Sequence, residues 1–232
     1  MLVTAGQSTD CDHTAASILV KSQVATQRRN KAHNAGNVEE EISALRELID
    51  DDVEMSNHCS NSGKYNLYGS ASEKTELAMK LAGEKQFGEA EDMFRKADAA
   101  YRSSNIAGND TYSDNDLPFA YVLRHDGKTE EATRICGYWK DKVANIGKKA
   151  VAVAKNSDPQ IEPYDTPQHE LGRWELFCAD EDSGIATLTA QIKQDPKMLA
   201  PVSTLGQYFT LNGDFKKAQE LETKWYSNLS SH

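Results

Sequence analysis

Four times along the chain, two small residues stand twelve apart among bulky apolar ones: Ala78 and Ala90, Ala120 and Ala132, Gly172 and Gly184, Gly206 and Ala218. Two antiparallel helices approach closely only where each presents a small side chain, and large neighbours then fill the space between successive pairs. The flanking residues supply that bulk. They are Leu77, Leu81 and Phe94 in the first unit, Phe119, Leu123 and Trp139 in the second, Leu171 and Leu188 in the third, and Leu205 and Phe209 in the fourth. This pattern points to stacked helical hairpins, with a generic helical bundle as the other arrangement it allows.

Helical periodicity extends over nearly all of the sequence, and alternating β-branched runs are almost absent. The spacing predicts helices over 13–33 and 38–49, the first with an Ile18/Leu19 stripe and the second with Ile42, Leu45 and Leu48/Ile49 on one face. Residues 1–12 read as a flexible start, and the polar stretch 50–70 as a loop closing an N-terminal region of 13–70. Four helix pairs follow over 72–228: 72–85 with 88–102, 117–125 with 129–155, 167–179 with 183–194, and 201–211 with 215–228. Breaks at Asp126-Gly127, Asp195-Pro196 and Asn212-Gly213-Asp214 separate them.

In its last unit, with Val202-x2-Leu205-Gly206-x2-Phe209 and the turn Gly213-Asp214-Phe215-Lys216-Lys217-Ala218, the chain resembles the tetratricopeptide repeat family. The preceding unit carries Leu171-Gly172, Gly184, Leu188 and Asp195-Pro196, and its Leu-Gly pair stands 34 residues before the next. The resemblance implies an all-α fold of antiparallel helix pairs stacked in a right-handed superhelix, with the N-terminal hairpin as a cap or a dimer surface. The chain departs from the pattern in spacing, which is 42 from Ala90 to Ala132 and 52 from Ala132 to Gly184. It departs also at Glu175 and Glu222, where the family places apolar groups. Segment 25–50 reads as a degenerate unit in which Glu41 stands where a small residue belongs.

The resemblance further implies a concave groove lined by the first helix of each pair. Projected onto this sequence, Met79, Tyr121, Arg124, His169, Arg173 and Gln207 face it. The two arginines suit carboxylates and Tyr121 suits a rigid contact, so an acidic or C-terminal peptide is the expected ligand. The lysine and asparagine pattern of chaperone-tail-binding members is not repeated.

A net charge of −10 disfavours phosphate backbones and anionic membranes and favours a basic protein partner. No apolar run reaches the length of a membrane span. The first residues lack the basic start and apolar core of a signal peptide. Either a cytoplasmic chain or an exported one without its leader fits, and the polar stretch Gly6–Asp12 leans to the second.

Of the four cysteines, Cys136 and Cys178 read as small buried hydrophobes. Cys11 and Cys59 form the candidate disulfide. Cys11, His13, His58 and Cys59 offer soft metal ligands, but at spacings unlike those of zinc modules. Asp50-Asp51-Asp52-x-Glu54 lacks the spaced donors of a calcium loop. Asn109 and Asn228 match the glycosylation acceptor pattern, a triplet common by chance. No motif of a hydrolase, a metalloprotease or a nucleotide-binding loop occurs.

The expectation is therefore a non-catalytic scaffold or adaptor, with no cofactor and no metal, binding a protein or peptide through its groove. Two alternatives stay open. One is an inhibitor or immunity-type protein that blocks a toxin or enzyme with a surface. The other is a ligand-sensing regulator with the loop at 156–170 folded over the groove.

Overall fold

A computed structural model describes residues 6–58, 67–103, 115–156 and 166–230. Among the described residues there are ten helices and no strand: α1 (Gly6–Ala35), α2 (Val38–His58), α3 (Leu67–Gly83), α4 (Phe87–Ser103), α5 (Asp116–His125), α6 (Thr129–Asn156), α7 (Pro167–Cys178), α8 (Glu181–Gln194), α9 (Leu199–Leu211) and α10 (Phe215–Ser230). The chain is all-α. It divides into unit 1, residues 1–80 with 92–113, and unit 2, residues 81–91 with 114–232.

Three expected boundaries move, one of them the start of α3, which lies at Leu67 inside the expected loop rather than at 72. The first helix begins at Gly6 rather than 13. The second runs on to His58, so Asp50–Glu54 lie inside a helix and not in a loop. Met55 explains the extension: it continues the apolar row of Leu45 and Leu48 and is buried in a cluster with Ala15 and Ile18 of α1. Leu19, read as Ile18's companion in the stripe, points to solvent.

In unit 1, α1 packs against α2. The buried positions of α1 include Ala15, Ile18, Ala25 and Ala32, a three-and-seven spacing of mostly small residues that lets α2 come close.

One turn recurs across the chain. At Gly36, Lys85, Gly127 and Gly213 the backbone takes a positive φ. The residue after each returns its N–H to a carbonyl five positions back: Asn37 to Ala32, Gln86 to Leu81, Lys128 to Leu123 and Asp214 to Phe209. This is the Schellman closure of a helix, and it suits glycine. Counting five residues on from each positive-φ residue gives Glu41, Ala90, Ala132 and Ala218. Counting seven back gives Arg29, Ala78, Ala120 and Gly206. The N-terminal hairpin thus has the local geometry of the later pairs, with two charged residues at its small positions.

In unit 2, α5 pairs with α6, α7 with α8 and α9 with α10; α6 also packs on α7 and α8 on α9. The third pair shows what its glycines do. A methyl group at Gly184 would lie 2.4 Å from the Leu176 nitrogen, and one at Gly172 would lie 2.9 Å from the Leu188 side chain. Each glycine therefore faces a leucine of the other helix. Gly184→Ala pushes Cβ into backbone that has nowhere to move and should cost about 1 to 3 kcal/mol despite alanine's better helix propensity. Gly137→Ala in α6, where nothing lies within 4 Å, should instead gain up to about 1 kcal/mol. Urea titration of both variants checks the contrast.

The fourth pair departs from expectation. Gly206 has nothing within 4 Å of an added methyl, and α10 has no buried residue. The closest sequence match to the repeat pattern is the least enclosed pair.

Candidate functional site

The first helices of unit 2 pack on one another: α5 touches both α7 and α9, and α7 touches α9. Their shared face is filled by aromatic rings. Tyr208 meets Tyr121 edge-on at 6.4 Å and Phe177 at 6.3 Å. Tyr121 donates its hydroxyl proton to Asn212 Oδ1 at 2.7 Å, and Tyr208 donates to Glu181 Oε2 at 2.6 Å. Burial, reinforced by the Glu181 charge, pushes both phenols above the ordinary tyrosine range. The segment 81–91 joins the same assembly. Lys85 donates to the Asn212 carbonyl at 3.3 Å, and an added methyl at Gly83 would collide with Thr210 and Phe215.

Of the residues projected onto the groove, three are interior. Tyr121 is 2% exposed, His169 6% and Arg173 8%. His169 Nε2 lies 3.0 Å from Thr204 Oγ1 and its Nδ1 lies 3.4 Å from Glu170 Oε1. Arg173 donates to both oxygens of Glu170, at 3.0 and 3.3 Å, and its guanidinium lies 5.4 Å from the Trp139 ring centre. Burial pushes the Glu170 carboxyl up, but the His169 hydrogen bond and the Arg173 charge outweigh it and hold it below its ordinary value. Arg124 is half-buried, donates to the Phe177 carbonyl and lies 6.0 Å from the Tyr121 ring. Gln207 is half-buried on α9, and Met79 is half-buried on α3 in unit 1.

Tyr121, Arg124, His169 and Arg173 bind the helices of unit 2 together. A carboxylate ligand could reach Arg173 only by displacing Glu170.

Cys136 and Cys178 also depart from the sequence reading. They are half-buried and joined to each other, with Cα atoms 5.5 Å apart, which ties α6 to α7. Beside the bridge, Trp174 Nε1 donates to the Cys136 carbonyl at 3.0 Å. The expected Cys11–Cys59 bridge and the side chains of His13 and His58 lie outside the described residues.

In unit 1 the charged residues at the small positions find partners on α3. Lys80, 7% exposed, lies 2.7 Å from Glu41, which is 3% exposed and also meets His33 at 3.1 Å. Arg29 donates to both oxygens of Glu76, at 3.1 and 2.6 Å. The acidic run at 50–54 is likewise engaged: Asp51 accepts from Ser22 at 2.9 Å and Glu54 pairs with Lys21 at 3.3 Å. Sequence reasoning missed the Glu41–Lys80 pair. Its signal was a lysine set in the apolar row of Leu77 and Leu81, which required a buried counter-charge.

Among the described residues no group of three or more metal-binding side chains forms, and no helix is long and apolar enough to cross a membrane. No family model, no curated protein and no solved structure matches the chain.

Proposed function

We propose that this chain is a non-catalytic protein-binding module of tetratricopeptide-like helix pairs, with α1 and α2 as its cap. It engages a protein partner through the outward faces of its second helices. One observation carries this reading: Tyr121, His169 and Arg173, which would line a peptide groove, are engaged within the molecule. That favours a blocking surface of the inhibitor or immunity type over a groove that hosts an extended peptide. The second helices α6, α8 and α10 flank the packed first helices, and Tyr138, Tyr226 and Leu229 on them are exposed. The charge of −10 steers such a surface toward a basic partner. The Cys136–Cys178 bridge favours an oxidising compartment, in line with an exported chain.

The test is capture of the partner from the native host, with the complex then rebuilt from purified components. A stoichiometric complex that survives Arg124→Ala and Gln207→Ala but weakens at least tenfold in Tyr226→Ala/Leu229→Ala supports the reading. Loss in the first two variants, with their fold intact, restores the groove. Arg173→Glu is no probe of binding, because it sets a carboxylate against buried Glu170. It should cost about 3 kcal/mol or more, seen as a lowered urea midpoint.

A further inference from the structure

The apolar row of α6 runs on after its partners stop. Ala132, Ile135 and Trp139 are buried, whereas Val143 and Ile146, next along the same row, are half-buried. Positions 150 and 153, alanine and valine, carry the spacing of three and four residues on toward the end of the helix.

Helix lengths explain the change. α5 has 10 residues against the 28 of α6, and the turn at Gly127 folds it back along the start of α6 only, to about position 138. α7 runs antiparallel to α6: Cys178 is bridged to Cys136, and the Trp174 ring centre lies 6.0 Å from the Lys140 ammonium. At the same rise per residue, Pro167, the first residue of α7, comes level with about position 147. Neither α5 nor α7 therefore reaches 148–156.

Charge sets this stretch apart as well. Residues 140–156 hold five lysines, at 140, 142, 148, 149 and 155, against one acid, Asp141, in a chain of net charge −10. Lys142 and Lys149 each stand one position before a member of the row, where heptad geometry puts the residues that border a seam. Lys142 is held at that edge, its ammonium 4.1 Å from the Trp139 ring centre.

We propose that the C-terminal half of α6 docks an acidic amphipathic helix of a partner protein. The apolar side of that helix seats on the row Val143, Ile146, Ala150 and Val153, and its carboxylates border Lys142 and Lys149. An apolar row with a basic border accepts acidic flanks and repels basic ones. A lipid surface fits less well: the row offers valine, isoleucine and alanine, without the tryptophan, phenylalanine or leucine that seat a helix in a bilayer. The charge of the whole chain also opposes an anionic membrane. This surface goes beyond the one proposed above and takes a partner of the opposite charge, so either can fail without the other.

The test titrates the full chain into two labelled synthetic heptad peptides with leucine on the seam, one bordered by glutamate and the other by lysine, read by fluorescence anisotropy. The acidic peptide should bind about tenfold more tightly or better. Its affinity should fall about tenfold between about 0.1 and about 1 M salt, as the screening length shortens from about 10 to about 3 Å. Val153→Asp, on the row, should weaken binding about tenfold, and Ala152→Asp, the same charge off the row, by about threefold at most. No binding of the acidic peptide, equal binding of both peptides or equal losses in the two variants overturns the proposal. So does tighter binding of the chain to phosphatidylserine vesicles than to the acidic peptide. If Val153→Asp loses helix by circular dichroism, amide exchange of the unmutated chain with the acidic peptide decides. New protection over 143–156 supports the surface, and new protection confined to other helices overturns it.

Discussion

Replacing Cys136 and Cys178 together by serine should lower the stability of unit 2 by about 4 kcal/mol, the entropy that a bridge closing a 42-residue separation removes from the unfolded chain. The bridge joins α6 to α7, consecutive helices of different pairs, across the longest spacing between successive small positions. Trp174 reports on that seam directly, since its indole donates to the Cys136 carbonyl. All three tryptophans, at 139, 174 and 225, belong to unit 2, so selectively excited tryptophan fluorescence during urea unfolding follows this unit. The unmutated chain in reductant should show the same fall. A loss below about 1 kcal/mol would mean that packing between α6 and α7 suffices without the bridge.

Lys80→Met should cost about 3 kcal/mol, because it keeps the side-chain volume but leaves Glu41 buried with only His33 beside it. Burial pushes the Glu41 carboxyl up, yet His33 and Lys80 together hold it below its ordinary value. Its contribution is therefore present above the ordinary glutamate range and is lost as pH falls through the lowered value. In Lys80→Met the carboxyl can protonate instead, so the penalty should shrink as the pH is lowered. Adding Glu41→Gln should recover part of the loss at neutral pH. Far-UV circular dichroism during urea unfolding at two pH values measures both effects. A penalty that is the same at both, or no recovery in the double variant, would place the cost elsewhere.

The helices were legible because apolar period and turn chemistry agree along most of the chain. Gly127 and Gly213 mark their turns in sequence and have positive φ in the structure. Lys85 makes the same turn without glycine, and only the backbone reveals it. The helical character of the described residues follows from the same pattern. What the sequence could not give was which polar residues turn inward. His169, Glu170 and Arg173 sit together on α7, and a solvated helix face reads the same way as a buried one until its neighbours are known. Thr204 on α9 and Trp139 on α6 supply those neighbours from positions 35 and 34 residues away. Long-range pairing also decided the cysteines. Cys136 fits an apolar helical row equally well free or bridged, and its partner lies 42 residues on, inside the 52-residue spacing from Ala132 to Gly184 that hides the register.

Glu41 offers the opposite lesson. A charged residue at a position reserved for small ones marked the N-terminal hairpin as degenerate, whereas its turn is built like the others. The charge serves a different contact: it receives Lys80 from α3, where a small residue would have left that lysine buried alone.

The most direct test of the central claim is an amide-exchange footprint of the chain bound to its purified partner. New protection is expected on α6, α8 and α10, with the peptides carrying Tyr121, His169 and Arg173 unchanged. New protection concentrated on α5, α7 and α9 would contradict it and return the binding site to a groove between the first helices.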